Sequence, residues 1–215
     1  INADGFGFAW LDPDNYPCSY KNLLPVWSDT NLHNLGKSLR SKLWLANVRG
    51  ATPGQATGET NTQPFIKDNI IFLHNGCIKP FDIQTKARLI DCLTKEIQAE
   101  INGDSDSLYL FALFKQHFIN TNNIDAAIIA MLTDLESICR TTNEALLNII
   151  ISDTHSLYAC RHAINTDSPS LYYVNAAKHI YIASEPLTAD EQWATFSEHS
   201  LMHFDNTGLI KSTNL

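Results

Sequence analysis

Apolar and polar positions along this chain follow two rhythms, and the rhythm changes twice. The first 80 residues carry short apolar runs bounded by Gly, Pro, Asn and Asp, which is the pattern of strands. These runs predict strands over 5–11, 43–48 and 69–73, a turn through Asp12-Pro13-Asp14-Asn15 and a short helix over 31–39. Between the second and third strands lies a Gly/Thr/Pro/Asn-rich stretch, 52–63, with the composition of a mobile lid. The middle third changes to a helical period. Leu89, Ile90, Leu93 and Ile97 predict a helix over 84–101. Segments 107–118 and 124–138 read the same way, the latter with Ile128, Met131, Leu132 and Leu135 on one face. The last third returns to strands: 146–152 and 156–161 around Asp153-Thr154-His155, 171–174 with 179–184, and 200–204 with 209–212 across the turn 205–208. Strands, then helices, then antiparallel strands predict an α+β fold with helices outside largely antiparallel sheets. No repeat, low-complexity tract or linker interrupts the chain, so 1–215 is read as a single domain.

Composition narrows the function classes. A net charge of −8 and a pI near 5.4 argue against a nucleic-acid binder, which needs a basic face. No apolar run approaches the ~20 residues that span a bilayer, so no membrane role is expected. Five scattered cysteines without a CxxC pair read as reduced thiols of a cytoplasmic protein. The eight histidines form no metal-binding spacing, and no metal or cofactor is expected.

Three features carry candidate chemistry. Arg49 follows an apolar strand and precedes Gly50-Ala51, small enough to admit a ligand carboxylate to the guanidinium fork. The alternative is a surface ion pair. Asp104 and Asp106 lie in Gly103-Asp-Ser-Asp-Ser107 ahead of an apolar helix, where one could cap the helix and one could hold an ammonium. Asn75-Gly76 follows the strand 69–73; it reads either as a tight turn or as an amide and a backbone N–H arranged for an oxyanion. Together the three make a receptor for an α-amino acid carrying an amide to cleave.

In their order along the chain these segments resemble the class II glutamine amidotransferases, which are N-terminal nucleophile hydrolases. The resemblance rests on Asn2-Ala-Asp-Gly-Phe-Gly-Phe-Ala-Trp10, Val48-Arg-Gly-Ala-Thr52, His74-Asn-Gly76 and Ser105-Asp-Ser107. Trp27-Ser-Asp-Thr-Asn-Leu32, Leu147-Asn-Ile149, Ala183-Ser-Glu-Pro186 and Trp193 are similar to small stand-alone members such as the ergothioneine-pathway γ-glutamyl hydrolase. The resemblance implies a four-layer αββα sandwich. It assigns the substrate carboxylate to Arg49, its amine to Asp106, the oxyanion to Asn75 with the Gly76 N–H, and the lid to Thr52. His74 is expected to pack behind Asn75 rather than act as a base. Leu108 departs from the glutamate many relatives carry there and leaves Asp106 unaffected.

The family's nucleophile is a cysteine at the mature N-terminus whose own α-amine is the base. Neither Cys18 nor Cys77 meets that description, and Cys77 reads as a small buried hydrophobe. An upstream segment carrying the nucleophile is therefore expected, adding a first strand beside 5–11. Three functions follow: hydrolysis of a small-molecule γ-glutamyl conjugate without a partner, glutamine hydrolysis with ammonia passed to a synthase partner, and a non-catalytic γ-glutamyl-binding module. A homo-oligomer is compatible with each.

Overall fold

The computed structural model describes residues 2–50, 58–176 and 179–215, so Thr52 and most of the expected lid lie outside the described residues. The chain opens with β1 (Phe6–Leu11) and β2 (Pro17–Asn22), followed by α1 (Leu32–Ser38) and β3 (Trp44–Val48). Past residue 58 come β4 (Phe65–Lys67) and β5 (Ile70–Lys79), then α2 (Ile83–Asp91), α3 (Lys95–Ala99), α4 (Asp106–Thr121) and α5 (Ile124–Cys139). The last third is β6 (Glu144–Ser152), β7 (Leu157–Ile164), β8 (Tyr172–Ala176), β9 (His179–Ala183), β10 (Ala194–Thr195), β11 (Ser200–Asp205) and β12 (Gly208–Asn214). Among the described residues every pairing is antiparallel, in three sheets ordered β2-β1-β3, β10-β8-β9 and β12-β11-β7-β6-β5-β4.

The six-stranded sheet is buried on both faces. On one, Phe72 and Ile78 of β5 with Leu147, Ile149 and Ile151 of β6 meet the helices. Phe111 and Phe114 of α4 hold Phe72 with ring centroids 5.2 and 6.0 Å apart, and each buried ring contributes about 1.5–3 kcal/mol. On the other face, Ile71 and Leu73 meet Ala9 and Leu11 of β1 and Leu45 of β3. Farther across that face, Ala159, Met202 and Phe204 meet Leu171 and Phe196 beside β8. Helices, a large sheet and smaller sheets thus stack as an α+β sandwich. The remaining helix, α1, has no buried residue.

Four sequence expectations change. The strand read as 69–73 runs on to Lys79, because Asn75, Gly76 and Cys77 keep their register with Asn148, Leu147 and Leu146. Asn75-Gly76 is therefore mid-strand and not a tight turn. The helix read as 84–101 is two helices. Thr94 adopts an extended conformation between them, and side chains replace the lost helical bonds: Gln116 Oε1 accepts from the Thr94 N–H, and Gln98 Nε2 donates to the Ile90 and Leu93 carbonyls. The strand read as 5–11 has β2 on one side and β3 on the other, so no additional strand can pair beside it. Finally, β2, β4 and β10 were not anticipated; their sequences PCSYKN, FIK and AT lack a clear alternation.

Candidate active site

Alternation along β5 sorts the motif residues by face. His74 shares the helix-side face with Phe72 and Ile78, whereas Asn75, Cys77 and Lys79 share the opposite face with Leu73. His74 is 2 % exposed and tied on three sides. Its backbone N–H donates to Gln63 Oε1 at 2.6 Å and its carbonyl accepts from Gln63 Nε2 at 2.8 Å, so the Gln63 amide acts like a further strand residue beyond β4. Nε2 lies 2.9 Å from the Leu146 carbonyl oxygen, which can only accept, so Nε2 carries the proton. Nδ1 then accepts from Ser107 Oγ at 2.9 Å. Burial pushes the ring's pKa down, with the Asp106 charge pulling the other way. The neutral imidazole is a strut joining β5, β6 and α4, and both its nitrogens are engaged.

Gly76 has φ +155°. A Cβ there would overlap the Leu146 carbonyl oxygen and crowd the His74 ring, so only glycine fits beside Asn75. This explains why the pair stands together in the middle of a strand.

Asp106 begins α4, and the cap is its neighbour: Ser105 Oγ accepts from the Leu108 N–H at 3.3 Å. The Asp106 carboxylate, 3 % exposed, is left to span two elements. Oδ2 accepts from the Ile78 N–H at 2.9 Å and Oδ1 from the Ser107 N–H at 2.8 Å. A helix N-terminus favours that negative charge. Asn61 fixes the approach to the helix. Its Oδ1 accepts from the Asp104 and Ser105 N–H groups at 3.0 and 3.1 Å, and its Nδ2 donates to Asp104 Oδ1 at 2.6 Å. Gly103 is required because a Cβ would strike Asn61 Oδ1. Of the two candidate carboxylates, Asp104 is thus held by Asn61, and Asp106 faces the site. Leu108 packs into the helix-side core.

Arg49 lies just past β3, where its N–H donates to the Gly5 carbonyl at 2.9 Å and its carbonyl accepts from the Asp4 N–H at 3.0 Å. The β1–β3 ladder thus runs one pair further and carries Arg49 inward, where the residue is 8 % exposed. Arg49, Gly50, Gln63, Asn75, Gly76 and Asp106 line one cavity of about 380 Å³, within the range of small-molecule sites. Cys77 and Lys79 also line it; Cys18 does not. Burial raises the pKa of the half-buried Cys77 thiol, which keeps it protonated at neutral pH. A larger cavity of about 620 Å³, bordered by Lys42, His155, His179 and Asp205, includes none of the motif residues.

Sequence reasoning missed Asn61, Gln63 and Lys79. The first two lie in the stretch read as a lid, and nothing in their spacing marks them, since their partners are 11 to 44 positions away. Lys79 was missed because β5 was ended six residues too early.

The chain is 29 % identical to the probable glutamine amidotransferase DUG3 of Saccharomyces cerevisiae, across 94 % of this chain and 69 % of that one. It is 26 % identical to the gamma-glutamyl-hercynylcysteine sulfoxide hydrolase of Mycolicibacterium smegmatis, across 94 % of this chain and 78 % of that one. Among solved structures, it matches a glutamine aminotransferase class-II domain protein from Silicibacter pomeroyi with a TM-score of 0.81 at 26 % identity, covering 97 % of this chain and 90 % of that one. The family model for glutamine amidotransferases class-II matches residues 1–177, and the chain belongs to that family of amidohydrolase-like enzymes.

Proposed function

We propose that this protein is a cysteine amidohydrolase that cleaves a γ-glutamyl amide through a glutamyl-thioester. The observation that carries this reading is the convergence of Arg49, Asp106, Asn75 and Gly76 on one cavity from β3, α4 and β5. In this reading the Arg49 fork binds the substrate α-carboxylate and Asp106 its ammonium. A thiolate attacks the amide carbonyl carbon and a C–S bond forms. The carbonyl oxygen becomes an oxyanion against the Asn75 amide and the Gly76 N–H. Collapse breaks the C–N bond, and the leaving amine departs with a proton. Water then attacks the thioester, breaks the C–S bond and frees glutamate.

The nucleophile is proposed to be a cysteine at the mature N-terminus, preceding Ile1 and joined to the single domain 1–215, with its α-amine as base. The raised pKa of Cys77 and the position of Cys18 outside the cavity argue against those two thiols. Thr52 is assigned to the lid. Likeness to the hydrolase of M. smegmatis favours a γ-glutamyl conjugate as substrate, a reading that needs no synthase partner. Likeness to the yeast amidotransferase favours a second reading, in which glutamine is the substrate and ammonia goes to a partner synthase. Free thiols at all five cysteines favour a reducing compartment such as the cytoplasm.

The test is labelling of protein from its native source with a glutamine-like diazoketone, followed by intact-mass and peptide mapping. One adduct on an N-terminal cysteine, lost in Arg49→Lys and Asp106→Asn, is expected. No adduct, or an adduct on Cys77, would overturn the reading.

A further inference from the structure

The charged side chains lining the cavity, among the described residues, are Arg49, Asp106 and Lys79. The first two match the two charges of an α-amino acid, which leaves a second cation to explain. Lys79 stands at the end of β5 on the same face as Asn75 and Cys77, and its ammonium lies beside the Cys77 thiol. Its cross-strand neighbour is Glu144, yet Lys79 forms no ion pair with a described carboxylate. An ordinary surface lysine would need no further account, but this one shares the cavity wall with the proposed oxyanion and amine groups.

The order of groups along β5 gives the cavity a direction. The proposed oxyanion donors are at Asn75 and Gly76, and the Ile78 N–H holds the Asp106 carboxylate. A γ-glutamyl chain whose carbonyl sits at Asn75 and whose ammonium sits at Asp106 runs along β5 toward Lys79. Its α-carboxylate then lies at the end of the cavity where Lys79 stands, with Arg49 supplied from β3. Lys79 is about 13 Å along the strand from Asn75, backbone to backbone, which is the right way along for the α-carbon end.

We propose that Lys79 is a specificity residue of this site, a second cation that selects substrates carrying a free α-carboxylate. The inference rests on the γ-glutamyl reading above. A strongly hydrated ammonium on a flexible stem adds attraction without demanding the bidentate geometry that Arg49 provides. It belongs to substrate binding and leaves the chemical step to other groups.

The experiment compares, in the complete protein, a γ-glutamyl anilide with the 4-aminobutanoyl anilide that lacks only the α-carboxylate. In Lys79→Gln, the preference in kcat/KM for the γ-glutamyl compound should fall about five- to tenfold, through KM, the size of one partly exposed charge contact. Lys79→Arg should keep most of the preference, and added salt should narrow the gap between wild type and Lys79→Gln. An equal loss on both anilides, or no loss on either, would overturn the role of Lys79 while leaving the hydrolase reading in place. Failure of the wild type to cleave the γ-glutamyl anilide would instead remove the hydrolase reading, and the Lys79 inference with it.

Discussion

Two buried histidines show how far environment alone determines a residue's behaviour. His74 is held neutral by burial, which outweighs the upward pull of the Asp106 charge and of the Leu146 carbonyl, and its bonds to that carbonyl and to Ser107 make it a strut although it stands next to Asn75. His162, 5 % exposed, sits with its Nδ1 3.0 Å from that of His199. Burial, and then the neighbouring imidazole, push its pKa down from 6.5 to about 4. For a base with a lowered pKa in the folded state, the unfolded chain binds more protons between the two values. Stability is therefore complete above pH 6.5 and lost as the pH falls toward 4, with a slope of up to ~1.4 kcal/mol per unit for one such proton. The shifted carboxylates Asp29, Asp82, Glu100 and Asp205 act below their ordinary values of 3.8–4.5, so the upper part of the window belongs to histidine. Urea unfolding at pH 7, 6 and 5 should show wild type losing stability and His162→Leu losing less per unit. Equal slopes in the two proteins would contradict this assignment.

At the scale of elements, the sequence was most legible where a periodic pattern was long. The apolar stripe of α5 and the hairpin of β6 and β7 follow from spacing, because burial on one face requires it, whereas α4 is buried all round over its first nine residues and is marked by its apolar run. It was least legible where side chains take over backbone roles. Gln98 and Gln116 support the break between α2 and α3, and Gln63 extends β4 along β5; neither leaves a periodic trace. The candidate site residues Arg49, Asn75 and Asp106, which line one cavity, could be named from motif likeness, whereas their supports could not. Asn61 is the clearest support, since one amide binds the Asp104 and Ser105 N–H groups and the Asp104 carboxylate ahead of α4. Asn61→Ala leaves two backbone donors seeking partners at the first turn of α4, at a cost of about 1–3 kcal/mol. Because Asp106 is on that turn, kcat/KM on a γ-glutamyl anilide should fall together with the urea midpoint. An unchanged kcat/KM at saturating stability would show that the turn holds its place without Asn61.

For the whole molecule, the point of the layering is that the site belongs to no single element. The helix layer supplies Asp106, the large sheet supplies Asn75 and Gly76, and the small sheet supplies Arg49; the core clusters on both faces of β5 fix their relative positions. Membership of the glutamine amidotransferases agrees with that architecture, and no helix among the described residues is long and apolar enough to cross a membrane. The division of labour across layers makes the central claim testable by one kinetic split in the complete protein, measured on a γ-glutamyl anilide. An oxyanion donor acts on the transition state and a carboxylate fork acts on bound substrate and transition state alike. Asn75→Ala should lower kcat by roughly 10²–10³-fold with KM little changed, whereas Arg49→Lys should act mainly through KM. A fall in affinity with kcat intact for Asn75→Ala would make that amide a binding or structural group and contradict the account.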